Sequence, residues 1–233
     1  MTSSDEEPRG YLLALTHIQE AILSGDLRVG DKLPSERELA GELGVSRGAV
    51  REAIRVLQAY GILESQPGPG RGTRVIAMQS RALGKLFRLH VATASQSRED
   101  LSETRIALER ATCKLAAETC SDEDLERLTH IVDSMDATQE LTMFNDLDTS
   151  FHKEIARVAG NPLLGDLTAA IRSALRNPIL FASLELRGWG ELRERLCVEH
   201  RGILDAIKSR DGQRAADLVE AHIRNAANTL FAR

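Results

Sequence analysis

From Tyr11 to Leu23 apolar side chains recur at helical spacing, with Leu12, Leu15, Ile18 and Ile22 along one stripe. The stretch SGDLRVGDKLPS breaks that rhythm with two glycines and a proline, which predicts a first helix ending near Ser24. Ser35 opens SERELAGELG, with Glu38 at the capping-box position and Gly44 placed to stop a short second helix. Ser46 caps a third helix that runs to about Tyr60, and Gly61 closes it. ILESQ and TRVIA read as two short strands, with PGPGRG between them as a hairpin loop. Helix, helix, turn, helix, hairpin is the order of a winged helix-turn-helix.

Beyond Met78 the turn-rich character gives way to long amphipathic segments. Their periodicity predicts helices near 80–93, 98–119, 121–135, 138–158, 162–176, 190–209 and 212–231, punctuated by ASQS, GNP, RNP, RGWG and SRDG. The expected architecture is mainly α: a winged domain over residues 1–78 and an all-helical bundle over 79–233.

Composition narrows the chemistry. Only 3% of residues are aromatic, which leaves few rings for stacking on bases or sugars. No apolar run approaches the roughly 20 residues of a membrane helix, and the start MTSSDEEPRG is polar and acidic, unlike a signal peptide, so the expected location is cytoplasmic. Cys113, Cys120 and Cys197 are odd in number and lack close C-x-x-C pairing, so they read as reduced core thiols.

Charge is distributed unevenly. Residues 1–78 hold 9 Lys and Arg against 11 Asp and Glu, so the winged domain is not basic as a whole. Residues 44–74, however, hold five arginines against Glu52 and Glu64, and DNA binding would depend on that local patch. Arg47, Arg51 and Arg55 follow one face of the third helix while Val50, Ala53, Ile54 and Leu57 occupy the neighbouring one. A solvated face with intrahelical pairs to Glu52 would explain a lone helix of this kind. In the second helix of a short-turn pair, the same arginines stand where side chains enter the major groove, and Ser46 with the helix N-terminus can hold a phosphate.

A second constellation lies in the bundle. Asp148 and His152 are four apart and share a helix face, as two ligands of one ion must. His200 and His222 are equidistant from the turn SRDG, which sets them at one level on antiparallel helices. Three imidazoles and a carboxylate suit a borderline divalent ion: zinc first, with nickel, manganese and iron as alternatives. Four protein ligands leave room for a water or a bound carboxylate. His17, His90 and His130 read as ordinary core or surface residues.

The run KLPSERELAGELGVSRGAVREAIRVLQAYGILESQPGPGRGTRVI resembles the DNA-binding domain of the GntR family of bacterial transcription regulators. That resemblance implies DNA contacts from Arg37, Ser46, Arg47, Gly48 and Arg51, and from Gly70, Arg71 and Gly72 in the wing. Arg47 and Arg51 are its candidates for guanine readout, and Arg37 for phosphate. RIALERATCKLAAE, the Asp-x-x-Phe-His stretch ending in AGNPLL, the EH..IL.AI segment and the His222 helix resemble the FadR C-terminal (FCD) effector domain. This second resemblance implies that Asp148, His152, His200 and His222 are metal ligands and that the pocket holds a small organic acid. Arg105 then meets the acid's carboxylate, unless it is engaged by Glu109 four residues on; Arg172 and Asn225 are further pocket candidates.

These features imply a homodimeric, ligand-responsive transcription factor, a repressor in its expected mode, reading a palindromic operator and holding a small organic acid at its metal. Two other classes remain open at this level: a constitutive DNA-binding dimer without effector, and a metal-dependent hydrolase using the same four ligands.

Overall fold

A computed structural model describes residues 6–66, 68, 71–77, 80–93 and 97–231, and by contact it falls into two units, Met1–Ala82 and Leu83–Arg233. The first holds α1 (Glu6–Ser24), α2 (Glu36–Leu43), α3 (Arg47–Ala59), β1 (Leu63–Gln66) and β2 (Gly72–Val75). Side-chain caps start its two short helices. The Ser35 hydroxyl accepts from the Glu38 N–H while Glu38 Oε2 accepts from the Ser35 N–H, and Ser46 Oγ accepts from the Ala49 N–H. Gly44 ends α2 in the left-handed conformation (φ 66°), which a glycine adopts without a Cβ clash.

α3 buries Val50, Ala53, Ile54 and Leu57 against Ile18 of α1, Leu39 of α2, and Leu63 and Val75 of the hairpin. β1 and β2 pair antiparallel from Leu63↔Val75 to Gln66↔Gly72. The segment read from sequence only as a break between helices carries structure of its own. The Leu33 N–H bonds Thr73 O and the Val75 N–H bonds Asp31 O, both at 2.9 Å, so residues 31–33 lie along the outer edge of β2. Three residues are too few for alternation to show.

The second unit contains α5 (Arg98–Thr119), α6 (Asp122–Ala137), α7 (Leu141–Val158), α8 (Pro162–Glu185), α9 (Trp189–Lys208) and α10 (Gly212–Phe231); the division between units falls inside α4 (Ser80–Thr93). α5 packs on α10 and α7, α10 on α9, and α7 on α8, around a core that includes Cys113, Leu128, Met135, Phe151, Ile203 and Val219. All three cysteines are free thiols. Burial pushes the Cys197 thiol up to about 11, so it is protonated at neutral pH.

One helix departs from its expected length. RNP was read as the end of the 162–176 helix, yet α8 continues through Pro178 to Glu185. The proline removes one backbone N–H from the helix ladder. Leu175, Pro178, Ile179 and Ser183 nevertheless form a continuous face at i, i+3, i+4 and i+8 that lines an internal cavity, and keeping that face together outweighs one lost bond. Among the described residues no helix is long and apolar enough to cross a membrane.

Candidate metal centre and nucleic-acid interface

In the first unit Arg37, Ser46, Arg47, Gly48, Arg51, Arg71 and Gly72 are all exposed, whereas Gly70 lies outside the described residues. Arg47 makes no hydrogen bond or ion pair with any described residue. Arg51 is differently placed: its Nε and Nη2 close on the Glu36 carboxylate, with Nη2 at 2.8 Å from Oε2. Of the anticipated intrahelical pairs, Arg55 with Glu52 is present at 3.5 Å. Ser46 uses its oxygen as acceptor for the cap, so its hydroxyl proton stays available for an anion. Gly72 has φ 68°, and it is this left-handed backbone that calls for glycine, since the Lys32 side-chain end 2.7 Å from an added Cβ can swing aside.

In the second unit α7 brings Asp148 and His152, α9 brings His200 and α10 brings His222 to one point, with one ligand atom of each within 4.8 Å of the others. His152 Nε2 is 3.3 Å from His200 Nε2, which in turn is 3.0 Å from Asp148 Oδ1. His152 Nε2 and His222 Nε2 each stand 3.8 Å from that same oxygen. The three imidazoles are buried, while Asp148 keeps 15% side-chain exposure.

A shell of carboxylates fixes the rings. Glu109 Oε2 faces His152 Nδ1 and Glu199 Oε2 faces His222 Nδ1, each at 2.9 Å. An ionised carboxylate only accepts, so both Nδ1 atoms are the donors and both Nε2 atoms carry lone pairs. Burial works to raise the Glu109 carboxyl, but Arg172, Arg105 and His152 hold it well below the usual range; Asp148 is held low in the same way by Arg172 and the histidines. Burial pushes His152 and His200 below an ordinary imidazole. For His222 burial acts in that direction too, but the nearby Asp148 and Glu199 carboxylates outweigh it and raise the group.

The bare Nε2 atoms of His152 and His222 and the Asp148 carboxylate converge on one point and fit a cation; His200 Nε2 by the same rule donates to Asp148 Oδ1 at 3.0 Å, and becomes a ligand once its proton moves to Nδ1. This donor set suits a divalent ion of the zinc type. His200 differs from its partners: its Nδ1 is buried without a hydrogen-bond partner.

Beside the cluster lies a cavity of about 270 Å³ whose lining includes Arg105, Asp148, His222, Phe144 and Trp189. Arg105 Nε donates to Glu109 Oε1 at 2.7 Å, so the Glu109 pairing exists, yet the terminal guanidinium nitrogens have no partner among the described residues and the side chain lines the cavity. Arg172 does not line it. Its guanidinium is taken up by Glu109 and by Asp148 Oδ2, at 2.7 and 2.8 Å, and it holds the Asp148 carboxylate in place. Asn225 is also off the cavity, donating to Glu199 Oε1 at 2.9 Å. The sequence reading missed Glu109 and Glu199 as ring-orienting groups and Trp189 as a wall of the cavity.

Residues 12–75 match the family of bacterial regulatory proteins named gntR, and residues 100–225 match the FCD domain. The chain belongs to the GntR family and carries an FCD domain. It is 30% identical over 90% of its length to the HTH-type transcriptional regulator YcbG of Bacillus subtilis, covering 85% of that protein. It is 29% identical to the Glc operon transcriptional activator of Escherichia coli, over 91% of this chain and 85% of that one. Among solved structures, Streptococcus agalactiae GntR matches with a TM-score of 0.61 and 25% identity, covering 91% of this chain and 95% of the other. The FCD regulator is thus a DNA-binding transcription regulator and not an enzyme, which removes the hydrolase reading of the four ligands.

Proposed function

We propose that this regulator binds a palindromic operator as a homodimer through α3 and the wing, and that a metal-bound organic acid in the helical unit sets its affinity for DNA. The division of labour proposed is DNA recognition in residues 1–78, and effector binding and dimerisation in 79–233. Asp148, His152, His200 and His222 would hold the ion, zinc first and nickel, manganese or iron otherwise. When bound, the ion supplies a Lewis-acidic position for an oxygen ligand.

The observation that carries this reading is the pair of bare Nε2 atoms, on His152 and His222, set around Asp148 Oδ1 with carboxylates behind both rings. Asp148 and His222 also line the cavity, so an acid bound there reaches the ion, and the unpaired end of Arg105 is the cation for its carboxylate. On the DNA side, the exposed Arg47 and Arg51 suit guanine, and Arg37, Ser46, Gly48, Gly70, Arg71 and Gly72 suit the backbone. Occupation is expected to release the operator.

Coupling is tested by titrating acid into metal-loaded protein, by calorimetry, with and without operator. Linkage requires the operator to weaken acid binding by the same factor that the acid weakens operator binding, a coupling of about 1–3 kcal/mol. Equal affinities in the two titrations would leave a constitutive DNA-binding dimer.

A further inference from the structure

We infer that the cavity takes a monocarboxylate with an extended apolar body, and that Trp189 donates its indole N–H to one acceptor on that body. This rests on the anchor of metal and Arg105 proposed above, and adds to it the class of molecule beyond the carboxylate.

Size is the first argument. About 270 Å³ approaches the roughly 300 Å³ at which pockets begin to enclose drug-sized ligands, and equals about nine waters at ~30 Å³ each. An acid of two or three carbons fills a small part of it. What remains is walled by Leu101, Leu175, Ile179, Leu196 and Leu230, surfaces that gain when water leaves.

Charge supplies the second argument. Among the groups bonded to or forming the cluster, Arg105 and Arg172 stand against Glu109, Asp148 and Glu199, one negative charge in excess. A divalent ion turns this to one positive, and a single carboxylate brings it to zero. Beyond neutral Ser102, Asn145 and Ser183, a second carboxylate would find one more arginine along the described lining, Arg98, an exposed side chain that lies over the Phe231 ring at 4.8 Å and is screened by solvent.

The third is an unpaired donor. Trp189 lines the cavity, and its Nε1 is buried with no hydrogen-bond partner. Its ring is held edge-on to Phe144, 5.4 Å between centroids at 80°, and Phe144 lies against His200. A buried N–H left unmade is costly, and a small turn of the indole toward the cavity would let an acceptor on the ligand satisfy it. The group thus selects an oxygen on an otherwise apolar chain.

Trp189 is the one tryptophan in the chain, so its fluorescence reports the site directly. Zinc-loaded protein is titrated with acetate, butanoate, hexanoate, adipate, and 4-oxo- and 5-oxohexanoate; calorimetry repeats the series on Trp189→Phe and Arg105→Met. Affinity is expected to rise about fourfold per methylene from acetate to hexanoate. The better oxohexanoate should bind several-fold more tightly than hexanoate in the parent, and no more tightly in Trp189→Phe. Binding that needs Arg105 but is flat with chain length overturns this inference and leaves the anchor standing. Adipate binding more tightly than hexanoate overturns the single carboxylate, and an oxo preference that survives Trp189→Phe overturns the indole contact. Affinity that rises with length equally in Arg105→Met keeps the apolar body and removes the anchor; no binding by any of the acids overturns both.

Discussion

Arg51 on the recognition helix is bound to Glu36 at the start of α2, Nε and Nη2 both reaching the carboxylate, whereas Arg47 one turn earlier has no partner among the described residues. The two arginines therefore differ in what they must give up to meet a base. Arg51 has to exchange one bidentate partner for another, and its net contribution is smaller. Arg47→Ala is expected to weaken specific operator binding on the order of tenfold or more and to relax base preference. Arg51→Ala should cost less, and Glu36→Gln should tighten binding to all sequences by freeing a cation. Fluorescence anisotropy at fixed salt measures all three; a Glu36→Gln variant that binds more weakly would mean that Glu36 positions Arg51 rather than competing for it.

The ligand rings predict a graded response at the ion. His222 has Glu199 behind it, and the carboxylate both fixes the ring and raises its basicity. Glu199→Ala should lower zinc affinity by about 10- to 100-fold while leaving the fold intact, read by competition with a chelating dye. An unchanged affinity would show that the ring is held by packing alone.

Much of this was legible because it is local. The capping box at Ser35 is a four-residue pattern, and the i, i+4 spacing of Asp148 and His152 states their shared face outright. His200 and His222 could be paired because the SRDG turn lies midway between them. Trp189 carried no such signal. The Arg105 pairing of Glu109 shows at i, i+4, but its bonds to Arg172, across 63 positions, and to His152 exist only once α5, α7 and α8 are packed. Pro178 misled for the opposite reason: its local meaning is a stop, and the cavity-lining face that overrides it is not local.

Acid stability should depend on Asp124. Its carboxyl is held well below its ordinary value of 3.8 by the Ser121 side-chain and backbone bonds, with Arg157 and Arg127 adding to them. A depressed carboxyl contributes stability that is fully present above that ordinary value and is lost as pH falls through the folded one. Asp124→Asn is therefore expected to be less stable than the parent at pH 7, with the gap closing below pH 3.8. Ser121→Ala removes the cap itself and should cost about 1 kcal/mol. Urea unfolding followed by Trp189 fluorescence checks both in the helical unit. A gap that stays constant with pH would assign the loss to packing.

Gly212 sets how closely α10 approaches α5. A Cβ at this position would stand 2.9 Å from the backbone oxygen of Lys114 and 3.3 Å from its Cα, neither of which can swing aside like the end of a side chain. Helix propensity alone favours alanine over glycine by about 1 kcal/mol inside a helix, and less at its first turn. Overpacking against fixed backbone costs about 1–3 kcal/mol, so the steric effect wins and Gly212→Ala should be destabilising. The consequence reaches the site, because α10 carries His222, and α5 carries the Glu109 that orients His152. Displacing α10 from α5 moves His222 relative to Asp148, His152 and His200, whose ligand atoms now lie within 4.8 Å of it, so zinc affinity should fall together with stability. Gly41→Ala provides the control: it is a helical glycine with nothing within 4 Å of the added Cβ, and it should be neutral or stabilising and leave the metal untouched. If Gly212→Ala were as stable as the parent and bound zinc equally well, the contact between α5 and α10 would be looser than the 2.9 Å approach implies.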